Sequence, residues 1–279
     1  MSRMIRVLGL SIIFNLQFSI FNLLNAQNSY GDLVRQGMEA LKTDSIQRAD
    51  SLFRAAVKAE PHQEANYLLY RYLGQIREQQ GRQQDALDCY TSGLGQKPDD
   101  VELRLDRAAL LYRMGNESRA LSDYSDVLRR QPKHIEALLM RAHIFSGLRD
   151  YKSARIDYET VLRLEPMNER AQVGLILVND HSGRPREALD QINALVGIFP
   201  QNALFRAVRG GMLQRRRLYE QALFDLSEAI RLDPTNADYY VSRATLYLDM
   251  RKRRLARQDT QEAIRLGADP REMASLLKK

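Results

Sequence analysis

The sequence predicts an all-α chain made of about seven copies of one helix pair. Three observations predict it. Six prolines, Pro61, Pro98, Pro132, Pro166, Pro200 and Pro234, stand at intervals of 37, 34, 34, 34 and 34 residues. Twelve positions before each proline lies an alanine: Ala49, Ala86, Ala120, Ala154, Ala188 and Ala222. Ala256 continues the series one period on. The composition fits helices: of 279 residues, 44% are hydrophobic and 28% charged, with only 15 Gly and 8 Pro, few for a loop-rich β chain. A fixed period of this length marks a repeat architecture, in which each unit is too small to bury its own apolar face and stacks on its neighbours.

The first segment reads differently. Met1 to Ala26 begins with Arg3 and Arg6, runs mostly apolar from Val7 to Leu24, and ends in Leu24-Asn25-Ala26. That order of basic start, apolar run and small residue predicts a cleaved secretory signal peptide over 1–26. The rival is an uncleaved membrane anchor, against which Asn15, Gln17 and Asn22 would each be costly at bilayer depth. Cleavage removes two positive charges from a formal net charge of +7. The remainder is too mildly basic for a dedicated nucleic-acid binder. No second long apolar stretch follows, so the exported chain is expected to have no integral membrane segment. The ending Asn25-Ala26-Gln27 resembles exported proteins of the Bacteroidetes, and a periplasmic location in a Gram-negative cell is expected.

With proline as position 32, each unit reads as two apolar-periodic runs of about 14 residues joined by a short turn. Leu69, Tyr72, Leu73 and Ile76 mark one helix of the second unit. Ala86, Leu87, Tyr90 and Leu94 mark the other, with Gly81 between. Position 8 is mostly small (Gly37, Gly74, Ala108, Ala142, Ile176, Gly210, Ala244), as is position 20, so the helices of a pair can approach closely. Position 24 is mostly larger (Phe53, Tyr90, Tyr124, Tyr158, Ile192, Leu226, Thr260) and fills the space beside them. Proline at 32 ends the second helix, having no N–H and clashing with the preceding turn. The repeats are expected at roughly 30–63, 67–100, 101–134, 135–168, 169–202, 203–236 and 237–270, as one array over 27–279 with a short capping helix in 271–279.

These recurrences resemble the tetratricopeptide repeat (TPR) family over essentially all of the chain after the first segment. The resemblance implies a right-handed superhelical α-solenoid that binds partners on the concave face lined by the first helices. Positions 2, 5, 9 and 12 line that face in the family. Here they make Arg71, Leu105, Tyr112, Leu139, His143, Val173 and Leu177 the candidate partner-binding residues, a rather apolar stripe suited to a peptide or partner helix. The competing reading is that position 5 packs against the next helix. The carboxylate clamp of chaperone-binding relatives is not matched, since positions 5 and 6 offer Arg71 but no Lys or Asn.

Two further patterns come from the residues. Arg at position 7 occurs in four repeats, Arg107, Arg141, Arg209 and Arg243, and those four carry Asp at position 23: Asp123, Asp157, Asp225 and Asp259. In a pair that turns near position 15 these positions face each other, which predicts an ion pair in each. Arg215, Arg216 and Arg217 at one turn, with Arg251, Lys252, Arg253 and Arg254 at the next, form a candidate basic edge for lipid phosphates or an acidic partner; the plainer reading is a solvated turn.

Irregularities carry expectations too. Ile176 should hold the helices of the fifth repeat farther apart. The 37-residue spacing inserts three residues around His62 to Asn66, most simply as an extra turn opening the next helix.

No catalytic constellation, cofactor motif or metal cluster is present. The single Cys89 and four scattered histidines supply none. The expectation is therefore a non-catalytic interaction scaffold in the cell envelope, partnering another envelope protein. The alternative is an accessory protein of an outer-membrane or glycan-uptake assembly. Known TPR-containing members of such assemblies are longer and carry a lipid-modified Cys, which this chain lacks.

Overall fold

A computed structural model of the chain describes residues 29–278; the expected signal peptide, 1–26, lies outside them. Among the described residues there are fifteen α-helices and no strand. Seven first helices alternate with seven second helices. The pairs are α1 (Tyr30–Lys42) with α2 (Ile46–Ala59), α3 (Asn66–Gln79) with α4 (Gln83–Gln96), and α5 (Val101–Arg113) with α6 (Glu117–Arg130). Then come α7 (Ile135–Gly147) with α8 (Tyr151–Leu164), α9 (Glu169–His181) with α10 (Pro185–Ile198), α11 (Ala203–Arg215) with α12 (Tyr219–Leu232), and α13 (Ala237–Asp249) with α14 (Arg253–Arg265). A last short helix, α15 (Pro270–Leu276), follows. The chain divides into two compact units, residues 1–137 and 138–279, with the division in the first turn of α7.

Each helix boundary has a local cause. First helices open on a side chain that accepts from a free backbone N–H: Ser29, Asp100, Asn168, Asn202 and Asn236 do so for α1, α5, α9, α11 and α13. Six second helices stop two residues short of the repeat proline. Between the helices of each pair, the residue at position 15 is left-handed: Asp44, Gly81, Gly115, Arg149, Gly183, Arg217 and Arg251 have φ from 54° to 89°. Glycine takes that conformation freely; the four others are strained there.

In the first unit, Leu33, Phe53, Leu69, Leu73 and Ile76 form one core with the fully buried Ala49 and Ala56. In the second, Ile176, Ile192, Phe205 and Met212 form one cluster, and Leu213, Leu226 and Leu246 another. The position-20 alanines are all fully buried. The small residue at position 8 has a visible reason. A Cβ on Gly74 would lie 2.3 Å from the Tyr90 ring, and one on Gly37 2.5 Å from the Phe53 ring.

Two irregularities resolve differently from each other. The three inserted residues do not form a full extra helical turn. They lengthen the Pro61–Ala65 connection and add only Asn66 to α3. Fully buried Asn66 fastens this connection, its Nδ2 donating to the Glu60 carbonyl at 2.7 Å. In the fifth repeat, α9 and α10 do run less closely together than the pairs of the sixth and seventh. Position 6 of this repeat is glycine, and it serves a contact between repeats rather than within the pair. There Gly174 receives the Tyr158 ring of the preceding repeat, 2.3 Å from where a Cβ would stand.

Candidate partner-binding surfaces

The expected ion pairs form in all four repeats. Asp123 accepts from Nε and Nη2 of Arg107, both at 2.8 Å. Asp157 accepts from Arg141 at 2.8 Å, Asp225 from Arg209 at 2.7 Å and Asp259 from Arg243 at 2.8 Å, each again through two nitrogens. Two-point contact fixes rotation as well as distance, so each pair sets the register of its hairpin. Arg104 and Arg206 add second cations to Asp123 and Asp225 at 3.4 Å. The repeats without this pair use other devices. Buried Arg77 of α3 meets Asp50 of α2 at 2.6 Å, tying the second repeat to the first. In the fifth repeat, Asn179 donates to Gln191 at 3.0 Å. The Arg–Asp correlation was visible in sequence, but the Arg77–Asp50 pair was not, because it crosses from one repeat to the next.

The candidate groove residues do not share one fate. Leu139 and Val173 are only 3% and 9% exposed. They are packing residues, as the competing reading of position 5 holds, and the stripe is less apolar at its surface than expected. Arg71 is engaged: Nε donates to Asp106 at 2.6 Å and Nη2 to Glu102 at 2.9 Å. Its burial works against its charge, and the two carboxylates outweigh this and raise its pKa. Leu105 and Tyr112 in the first unit, and Leu177 in the second, are half-buried; His143 is exposed. These four keep surface on the first-helix face. Tyr124 at position 24 lies far from solvent, and burial pushes its hydroxyl up to about 12. Cys89 is half-buried, and its thiol is likewise raised by desolvation, the opposite of an activated cysteine.

The basic edge divides as well. Arg215 and Arg216 both donate to Asp180 at the end of α9, at 2.6 and 2.7 Å. Burial opposes the charge of Asp180, but these two guanidinium groups outweigh it and hold its carboxyl below the usual range. The two arginines thus join the sixth repeat to the fifth. Arg217, Arg251, Lys252, Arg253 and Arg254 are exposed and have no carboxylate within ion-pair distance among the described residues. Arg217 and Arg251 lie on the walls of one shallow recess with Tyr219, Glu220 and Asp249, so the two turns do stand side by side. No group of three His, Cys, Asp or Glu able to hold a metal occurs among the described residues. No helix among them is long and apolar enough to cross a membrane.

This architecture has known relatives. The family model of the tetratricopeptide repeat matches residues 34–101 and 139–203. A crystal structure of a tetratricopeptide repeat protein from Parabacteroides merdae ATCC 43184 superposes with a TM-score of 0.83 at 26% identity, over 89% of this chain and 97% of that one. A MamA crystal structure gives 0.56 at 14% identity over 63% and 94%, and MamA 41-end from Desulfovibrio magneticus RS-1 gives 0.52 at 21% over 61% and 96%; these two share the fold alone. No curated protein matches the chain in sequence. The fold and the repeated residues define a helical-repeat interaction scaffold. The chain belongs to the tetratricopeptide repeat family, whose members in general bind protein partners and carry no chemistry of their own.

Proposed function

We propose that the protein is an exported, envelope-located adaptor that holds a peptide or helix of another envelope protein against its first helices. The observation that carries this is the set of surface-retaining side chains on the first helices, Leu105 and Tyr112 at positions 5 and 12 in one unit, His143 and Leu177 at position 9 in the other. Leu105, Tyr112 and His143 stand on hairpins whose register is fixed by paired Arg and Asp, and Leu177 on one held by Asn179 and Gln191. Such preorganisation lowers the ordering cost that binding would otherwise carry. The basic first segment with its apolar run supports export, and a likeness to a structure from Parabacteroides merdae suits a Gram-negative envelope.

In-cell photo-crosslinking tests the proposal, with the crosslinker placed at Tyr112 and, separately, at Leu177. Buried Leu139 would serve poorly. The expected result is a discrete adduct with an envelope protein that Leu105→Asp removes from the Tyr112 position. A folded, exported protein giving no adduct from either position would exclude the first-helix face as the docking surface.

A further inference from the structure

The left-handed turn position holds a contradiction. In the second, third and fifth repeats it is glycine, which adopts φ near +60° to +90° without strain. In the fourth, sixth and seventh it is arginine: Arg149 (φ 63°), Arg217 (60°) and Arg251 (59°). A residue with a Cβ is strained there. All three side chains are exposed, and none has an ion-pair partner among the described residues. More cations gather beside them. Helix α14 opens on Lys252, Arg253 and Arg254, with no acidic residue in its first turn and no side-chain cap. Cations there oppose the positive end of the helix dipole. Asn116 and Asp150 cap α6 and α8, whereas α2, α4, α10 and α12 open uncapped like α14; what sets α14 apart is the three successive cations at its start. Asp44 of the first unit bears the same strain (φ 54°), so it is the exposed, unpaired cations gathered on one edge of the second unit that suit an external anion.

We infer that this turn edge of the second unit docks on an anionic lipid surface. The turns of successive repeats are neighbours: Arg216 reaches Asp180, and Gln214 reaches Asp249 at 2.7 Å. The cations therefore lie along one edge, at the tips of the fourth, sixth and seventh repeats with Gly183 at the fifth, rather than converging on a cleft. A plane of headgroup phosphates meets several tips at once. An acidic peptide would have to enter the recess between Arg217 and Arg251, beside Glu220 and Asp249, whereas a plane of headgroups rests across the exposed tips without entering it. Exposed Leu148 (49%) and Leu218 (43%) sit next to two of the tips and can enter the interfacial layer. The opposite edge of the same unit balances Glu165, Glu169, Asp233 and Asp269 against Arg163, Arg231, Arg265 and Arg271, and Arg231 and Arg265 are paired there with Glu228 and Glu262, so the excess of unpaired positive charge is on the turn edge. The edge is separate from the first-helix face and does not depend on the adaptor reading.

Vesicle sedimentation of the full chain tests this. Phosphatidylcholine vesicles register whatever the N-terminal segment contributes. The excess binding on vesicles doped with phosphatidylglycerol registers the edge. The triple variant Arg149→Gly, Arg217→Gly, Arg251→Gly should lower the affinity of that excess about fivefold per cation, roughly a hundredfold in all. Its Tm should be unchanged or higher, because glycine relieves the turn strain. Lys252→Asp should likewise raise Tm by restoring the cap while weakening the excess. Arg163→Gln, on the opposite edge, should leave binding intact. The inference is overturned if no excess appears on anionic vesicles, if Arg163→Gln weakens it equally, or if the triple variant retains it. Capture of a soluble acidic protein by the edge, without vesicle binding, also overturns it.

Discussion

A single methyl group tests how closely the helices of a pair approach. Gly74 faces the Tyr90 ring, which is itself held in place by its hydroxyl donating to Glu78 at 2.6 Å. The ring cannot swing aside without losing that bond. Gly74→Ala should destabilise the protein by about 1–3 kcal/mol, despite the better helix propensity of alanine. Chemical denaturation followed by circular dichroism measures it, and a gain in stability would show that the pair has slack. Gly95, near the end of α4, has open space where its Cβ would be, so Gly95→Ala is the matched control. The Arg–Asp pairs belong to the same scale. Their carboxylates are nearly buried while the guanidinium groups keep about a fifth of their surface. Partial exposure moderates both the desolvation cost and the attraction, which favours a role in register over one in net stability.

Between elements, contacts that cross from one repeat to the next matter most, since a hairpin alone cannot bury its face. Asp180 is such a contact, drawing α9 to the turn that follows α11. Its folded pKa is depressed below the ordinary carboxylate value near 3.9, so the unfolded chain takes up the proton first as pH falls. The stabilisation is therefore present above about pH 4 and is lost as pH drops toward the lowered folded value. Asp180→Asn should cost roughly 1–2 kcal/mol at neutral pH. Its stability should converge with the wild type's in acid, as read by urea denaturation near pH 7 and near pH 3. Parallel curves at both pH values would remove the carboxylate from the account. At the last element, Asp269 accepts from Arg271 N–H at 2.7 Å, and Pro270 opens α15. A proline two places late in the period thus serves as a helix start, and nearly buried Met273 is the side chain α15 contributes inward.

For the molecule as a whole, the period made most of the fold legible. Prolines, alanines and the position-24 residues fall where the helices need them, and the pairing of Arg with Asp followed from covariation within one chain. What escaped was whatever the period does not carry. Burial of Leu139 and Val173 depends on the neighbouring helix and not on their own repeat. The engagement of Arg71 depends on acids 31 and 35 residues away. The three insertion residues were visible as a number but not as a shape, because a turn and a helical extension have the same length in sequence. The basic turns were visible as charge. The strain beneath Arg149, Arg217 and Arg251 needed backbone angles.

Gly174 also bears on how such a chain can evolve. Repeats of equal length look interchangeable, and gain or loss of 34 residues preserves the phase of every helix. The fourth and fifth repeats are nonetheless a cassette. Tyr158 belongs to one and the hollow that receives it to the other. Excising residues 169–202 would bring Val208, which holds position 6 of the sixth repeat, against that ring. Excising 203–236 leaves ring and hollow together. The first deletion should yield insoluble or unfolded protein and the second a soluble one of lower Tm. Recombination within this array is thus constrained by where the breakpoint falls, even when the reading frame and the period are both kept.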